Sequence, residues 1–491
     1  MSGSGGEDRA ELFLAVTTGQ NVSNLPPILE CATPGKDAVL WLESDKASEL
    51  QWSKGAIDVL KRRGFDRVEC MLLPEDPGEI WIALSKVYER CERDGYAVQW
   101  VANGGSKPTS IAIQASQPKL SAALPILYSE PQPVEYWLMP DGITGPRHKR
   151  RYEKARLSLE EVLAARGHFI KNPQTATKIW PDNAHGRLST SDAYGIDRKV
   201  VGQAHQDASR RQELREQTRA AELGEPISLD CALQECPEHV TGWLEGAWNT
   251  ARSIARSTPA KPGNWPDFGS GNAEQLGGLF VNAQKAADRI RNELRNGQGR
   301  NRAAPEQDRN PLGPRFEQAV ACRVRSWLEA QKETLPVNEA WLNVKIATQR
   351  NRSRIVQELD IILVLANAVL ISLECKTFQA DRKDLDARLL NIRRSGSQLA
   401  RLVVCAPLYT DFSTAPWFKN QHALAKTLKD FGFQYIPFTL PDQPRSYRIA
   451  GRDGASEAFD CPPFEDQLDR LMKPYVPQWR EVGRQRPGNV T

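Results

Sequence analysis

The run Ile361-Ile362-Leu363-Val364-Leu365, continued by Val369-Leu370-Ile371-Ser372-Leu373, constrains the fold of this chain more than any other stretch. It is too interrupted to span a membrane and too β-branched for a helix, so it predicts two strands joined by a tight turn at Ala366-Asn367-Ala368. Folding it symmetrically about Asn367 sets Leu359, Ile361, Leu363 and Leu365 against Cys375, Leu373, Ile371 and Val369, a wholly apolar face that belongs against a core. The other face carries Asp360 opposite Glu374, with Glu358 facing Lys376. Two carboxylates opposed across strands cannot both stay ionised at neutral pH without a cation between them. A divalent metal resolves that conflict. A salt-bridged edge hairpin built on Glu358 and Lys376 is the plainer alternative, but it leaves Asp360 and Glu374 unexplained.

Hard cations such as magnesium and manganese prefer carboxylate, carbonyl and water oxygens, and a lysine beside them stabilises phosphate charge or positions the attacking water. Lys376 follows Glu374 on the same face. Upstream, Phe316, Val320, Val324 and Trp327 form one stripe of a helix over 316–330 that also bears Glu317, and Trp341–Ile346 reads as a strand. Downstream, Leu385–Arg393 reads as a helix, Leu402–Cys405 as a buried strand and Phe418–Phe431 as a helix. Asp360, then Glu374-Cys375-Lys376 after a hydrophobic hairpin, preceded by a helix, resembles the PD-(D/E)xK nuclease superfamily. The resemblance implies catalytic roles for Asp360, Glu374 and Lys376, with magnesium or manganese held by Asp360, Glu374 and the Cys375 carbonyl. It also implies that Glu317 assists from its helix, although a solvated helix charge reads equally well there.

Residues 11–140 alternate strand-like and helix-like segments, the pattern of a parallel α/β sheet. Strands are expected at Leu12–Val16, Ala38–Leu42, Val68–Leu72, Val98–Val101 and Tyr136–Leu138, with helices over Lys54–Arg63 and Ile80–Arg93. Ligands of such sheets bind at the carboxyl ends of the strands. The loop after the first strand offers Thr18, Gln20, Ser23 and Asn24, and the loop after the fourth offers Asn103, Gly104, Gly105, Ser106 and Lys107. Paired glycines let backbone N–H groups approach an anion at a helix start, and Lys107 adds charge. Glycines for a tight turn and polar caps account for the same loops structurally. No G-x-G-x-x-G follows the first strand, which argues against a nicotinamide or flavin site.

Together these loops resemble the CARF domain, the Rossmann-like sensor of cyclic oligoadenylates in CRISPR-associated effectors. The family's fourth-strand loop often reads Thr-Gly-Gly-Thr-Lys, and Asn103-Gly104-Gly105-Ser106-Lys107 keeps its small, hydrogen-bonding character. A CARF domain joined to a PD-(D/E)xK domain is similar to the CRISPR ancillary nucleases. That resemblance implies a cytoplasmic homodimer of type III CRISPR antiviral defence, activated by cyclic tetra-adenylate and cutting DNA, RNA or both.

The expected architecture is α/β, with a Rossmann-like CARF domain over 10–142 and a helical connecting region and linker over 143–310. A restriction-endonuclease-like domain follows over 311–445, and a C-terminal tail over 446–491. Helices are expected over Lys154–Arg166, Ala208–Leu223, Val240–Arg256 and Ala273–Arg295; compact members of the resembled family have a shorter connection. Arg198-x6-His205 there matches the spacing of HEPN ribonucleases superficially. Cys231, Cys236 and His239 depart from common zinc spacings and lack a fourth ligand.

A net charge of +4 permits nucleic-acid binding without demanding it, but His148–Arg151, Arg210-Arg211 and Arg350 through Arg354 are basic clusters that suit a phosphate backbone. Nine cysteines without paired spacing suggest a reducing compartment rather than a disulfide framework. No signal-peptide pattern or transmembrane run is present, so no membrane partner is expected. Two rival readings stay open: a nucleotide-sensing regulator that binds nucleic acid without cutting it, and a restriction-type nuclease under no nucleotide control.

Overall fold

Short apolar strands separated by amphipathic helices build the first sheet of this computed structural model, in the order β3-β2-β1-β4-β5-β6-β7. Its strands are β1 (Glu11–Val16), β2 (Ala38–Glu43), β3 (Val68–Leu72), β4 (Ala97–Val101), β5 (Ile126–Ser129), β6 (Tyr136–Met139) and β7 (His148–Arg150). β1 to β5 pair in parallel. Parallel strands need helical crossovers, supplied by α1 (Leu25–Cys31), α2 (Asp45–Glu49), α3 (Lys54–Arg62), α4 (Pro77–Asp94) and α5 (Lys107–Ala115). The ends of α4 follow from local chemistry: Asp76 accepts from the N–H groups of Gly78 and Glu79, and Gly95 closes the helix at φ +80°.

The structure describes residues 9–19, 21–120, 123–181, 312–348, 354–376, 382–396, 398–407, 425–439, 446–450, 456–460 and 462–477. Apart from 312–314, these belong to the first of two compact units, Met1–Ile196 with Arg315–Thr491, the second being Asp197–Pro314. The sequence pattern missed β5 and expected the strand at Tyr136 to be parallel. It is antiparallel to β5, because the connection from Glu130 to Glu135 is too short for a crossover.

The second sheet has the order β14-β13-β12-β11-β10-β8, with β9 also on β10. Its strands are β8 (His168–Ile170), β9 (Thr177–Trp180), β10 (Val337–Thr348), β11 (Ile355–Leu365), β12 (Leu370–Cys375), β13 (Arg401–Pro407) and β14 (Gln434–Phe438). β10, β11 and β12 form an antiparallel meander, and β12, β13 and β14 are parallel. Three helices accompany it: α6 (Leu159–Ala164), α7 (Leu312–Ala330) and α8 (Arg382–Ser395). The expected stripe of α7, Phe316, Val320, Val324 and Trp327, is buried. β15 (Ser446–Ala450) and β16 (Ser456–Asp460) form a two-stranded ribbon, followed by α9 (Phe464–Met472).

The stretch expected to be helical over 154–166 is helical only in α6, which starts late because Ser158 and Glu161 form a capping box. Beyond it, β8 and β9 extend the second sheet where only helix was expected. The helices expected over 208–295, the Arg198/His205 pair and the Cys231, Cys236, His239 group lie outside the described residues, as does most of Phe418–Phe431, although 425–430 is helical.

One hydrophobic core runs through both sheets, bringing Phe13, Trp41, Leu159 and Val162 together with Val344, Leu359, Ile362 and Leu370. Polar ties add to this packing. Glu339 on β10 accepts from Leu159 N–H at 2.8 Å and Trp341 Nε1–H at 2.9 Å and pairs with Lys178. Val134 N–H donates to Tyr475 O at 2.8 Å. The cysteines among the described residues are free thiols. Among the same residues no helix is long and apolar enough to cross a membrane.

Candidate functional site

The β11–β12 ladder pairs Ile361 with Leu373, Ile362 with Ser372, Leu363 with Ile371 and Val364 with Leu370. This is the register symmetric about Asn367. Leu365 N–H donates to Val369 O at 2.9 Å, Ala368 N–H to Leu365 O at 2.8 Å, and Ala368 adopts φ +64° to close the turn. One step past the ladder, Asp360 and Glu374 come side by side on one face. Asp360 Oδ2 accepts from the Cys375 N–H at 2.7 Å. Glu374 is 1% exposed.

A carboxylate that deep needs partners. Glu374 has two: Lys376 Nζ stands 2.9 Å from Oε1, and Arg388 Nη1 stands 2.7 Å from Oε2. Arg388 also donates to Glu358 O at 3.2 Å and lies 3.4 Å from Asp384 through Nε. The expected Glu358–Lys376 pair does not form. Glu358 instead meets its register partner on β10, Lys345, at 3.0 Å. Lys376 is drawn the other way, its N–H donating to Cys405 O of β13 at 2.8 Å and its ammonium reaching Glu374 and, at 3.6 Å, Asp384.

Crowding of acids shows in the proton affinities. Burial raises the Asp360 carboxyl well above the usual range, Glu374 and Glu317 push it further, and the Cys375 N–H and Arg388 offset only part of this. Glu317, half-buried on α7, is raised by burial and then by Glu374 and Glu358. The Cys375 thiol is also driven well up, first by burial.

These donors fit a hard cation that keeps water and phosphate oxygens in its shell: two adjacent carboxylates, one of them penalised by like charge. Among the described residues no three His, Cys, Asp or Glu side chains converge closely enough to cage an ion by themselves.

The two polar loops of the first sheet sit at the carboxyl ends of β1 and β4. These are neighbours in the sheet, and the strand order reverses between them. Such a switch point opens a crevice for ligands. The loops touch: a Cβ on Gly104 would stand 2.6 Å from Thr18 Cγ2, and Gly105, at φ +112°, packs on Val16. Asn103 is fixed by a two-way bond to β5, accepting from Ser129 N–H at 2.9 Å and donating to Ser129 O at 3.0 Å. Ser106 caps α5 through Thr109 N–H at 3.3 Å, and Lys107 opens the helix, exposed.

In the first loop Thr18 N–H donates to Asn21 Oδ1 at 2.7 Å, Ser23 lies in a 3-10 turn, and Asn24 donates to Val16 O at 3.1 Å. Gln20 lies outside the described residues. Of the basic clusters, 148–150 forms the edge strand β7, where Lys149 pairs with Glu135 at 2.5 Å and lies over the Trp137 ring.

No protein-family model and no curated protein matches this chain. Solved structures do. Protein VC1899 from Vibrio cholerae is 15% identical with a TM-score of 0.52, the match covering 94% of this chain and 98% of that one. Can2 from Sulfobacillus thermosulfidooxidans, in complex with cyclic tetra-adenylate, is 13% identical at a TM-score of 0.44, covering 87% of this chain and 92% of that one. A type III CRISPR defence DNA nuclease activated by cyclic oligoadenylate is 17% identical at 0.43, covering 81% and 45%. The first likeness establishes a shared mixed α/β fold; the other two are too loose to carry a conclusion about this chain.

Arg388 and Asn21 are the site residues that sequence reasoning missed. The Asp384/Arg388 spacing of four marks a helix pair, but nothing in it shows that the guanidinium turns toward Glu374.

Proposed function

We propose that the chain is a metal-dependent nuclease of PD-(D/E)xK type, controlled by a cyclic oligoadenylate bound at the Thr18 and Gly104 loops. The hairpin register carries this reading, because it puts Asp360 beside a buried Glu374 at the end of a ladder that is apolar but for Ser372. Asp360, Glu374 and the Cys375 carbonyl would hold magnesium or manganese, which when bound supplies Lewis acidity toward a phosphodiester and its attacking water. Lys376, 20% exposed and 2.9 Å from Glu374, orients that water and meets developing phosphate charge. Glu317 would assist from α7, where its charge acts on Asp360.

At the sensor, the close-packed glycines leave backbone N–H groups as the approach to a phosphate, with Lys107 at the helix start as its counter-charge. A ring of four adenylates has twofold symmetry and suits two such loop pairs, hence a homodimer serving type III CRISPR defence.

Supercoiled plasmid and single-stranded RNA, incubated with manganese with and without cyclic tetra-adenylate, test this. Cleavage confined to the activated reaction is the expected result. Cleavage regardless of activator points to a restriction-type enzyme, and no cleavage removes the nuclease. One observation favours a second reading, a nucleotide-sensing regulator that does not cut: both carboxylate oxygens of Glu374 are paired with cationic side chains, Lys376 and Arg388.

A further inference from the structure

Arg388 is not an incidental surface partner of Glu374. Its helix α8 is pinned along β11: Gln357 Nε2 donates to Arg388 O at 3.2 Å, Asn391 Nδ2 donates to Val356 O at 3.3 Å, and Arg388 itself reaches Glu358 O. Those ties deliver one guanidinium to a carboxylate that is 1% exposed, while the Arg388 side chain keeps 26% of its own surface in solvent. A buried carboxylate left unpaired is costly, so some cation must sit there whenever a metal does not. Each oxygen of Glu374 has one: Lys376 on Oε1, Arg388 on Oε2.

We infer that Arg388 is a positioning residue that stands in for the divalent cation: it holds Glu374 Oε2 in the metal-free site and must leave that oxygen for the ion to bind. This rests on the nuclease reading. Lys376, on the opposite oxygen, stays in place. Arg388, planar and with 26% of its side chain in solvent, turns its fork outward. A guanidinium with only a structural role would behave differently, since its loss would loosen the site and weaken metal binding.

Calorimetric titration of the EDTA-stripped full chain with manganese decides the matter without any activity readout. Arg388→Met binds manganese more tightly than the wild type, on the order of tenfold, because the competing ion pair is gone. Arg388→Gln, which keeps an N–H donor without the charge, shifts affinity in the same direction and guards against a methionine variant that fails to fold. Adding Asp360→Asn to either variant abolishes the binding. Affinity unchanged or weakened in both folded variants overturns the role of Arg388 while leaving the nuclease reading in place, provided wild-type binding is lost in Asp360→Asn. Manganese binding that is absent, or indifferent to Asp360→Asn, overturns both.

Discussion

Arg388 Nη1 lies 2.7 Å from Glu374 Oε2, an ion pair beside Asp360, whose carboxyl is raised by burial and by Glu374 and Glu317. The pair explains how Glu374 tolerates burial. Removing its charge should leave two cations without their shared anion, so Glu374→Gln should lower stability by about 1–3 kcal/mol in urea denaturation. The same variant should lose manganese binding.

Asp360 makes metal-free stability depend on pH in a defined direction. Its folded pKa is raised, first by burial and then by Glu374 and Glu317, so the folded state holds the proton more tightly than the unfolded chain. Stability is therefore greatest below the unfolded value of about 4 and declines as pH rises through the window up to the folded pKa. Asp360→Asn keeps an acceptor for the Cys375 N–H and removes this penalty. In EDTA it should melt above the wild type at pH 8, the gap closing toward pH 4. Manganese should raise the melting temperature of the wild type alone, and more at pH 8 than at pH 5.

Between the loops after β1 and β4 the contact of Gly104 with Thr18 leaves no room for a methyl group, with Cγ2 2.6 Å from the position of a Cβ. Gly104→Ala should push the loops apart and weaken calorimetric binding of cyclic tetra-adenylate at least roughly tenfold, a loss of about 1.4 kcal/mol. Gly105→Ala combines strain at φ +112° with a contact on Val16 at 3.0 Å, and should cost about 1–3 kcal/mol of folding stability. Lys107→Glu, exposed at the start of α5, should weaken the ligand with little change in stability.

Asn367 ties the two regions together. Its Nδ2 donates to Glu130 O at 2.9 Å and Pro131 O at 3.2 Å, directly after Ser129, which holds Asn103 of the ligand loop. The hairpin tip therefore rests on the strand end that the Asn103 loop grips. Asn367→Ala should cost about 1–2 kcal/mol of stability. If this contact carries the ligand signal, the variant should bind cyclic tetra-adenylate with unchanged affinity yet lose most of the activator-dependent increase in cleavage.

Much of this was legible in the sequence because local chemistry decided it. The hairpin register followed from strict alternation about Asn367, and the first four strands from apolar runs between amphipathic helices. What escaped were tertiary decisions. β5 is too short to stand out, and β8 and β9 exist only because β10 offers them an edge. Glu358 was expected to face Lys376 on the assumption of an isolated hairpin, but Lys345 of β10 takes the Glu358 carboxylate, and the Lys376 ammonium goes to Glu374 and Asp384. Arg388 was invisible for the same reason: helix spacing predicts its Asp384 neighbour, while its approach to Glu374 depends on how α8 docks on β11.

The most direct test is manganese-dependent cleavage by the wild type and by an Asp360→Ala, Glu374→Ala double variant, each with and without cyclic tetra-adenylate. The wild type should cut plasmid DNA, RNA or both only when activator and metal are present, and the double variant should cut neither while still binding the activator. Metal-dependent cleavage that survives the double variant would contradict the assignment of the hairpin as the active site.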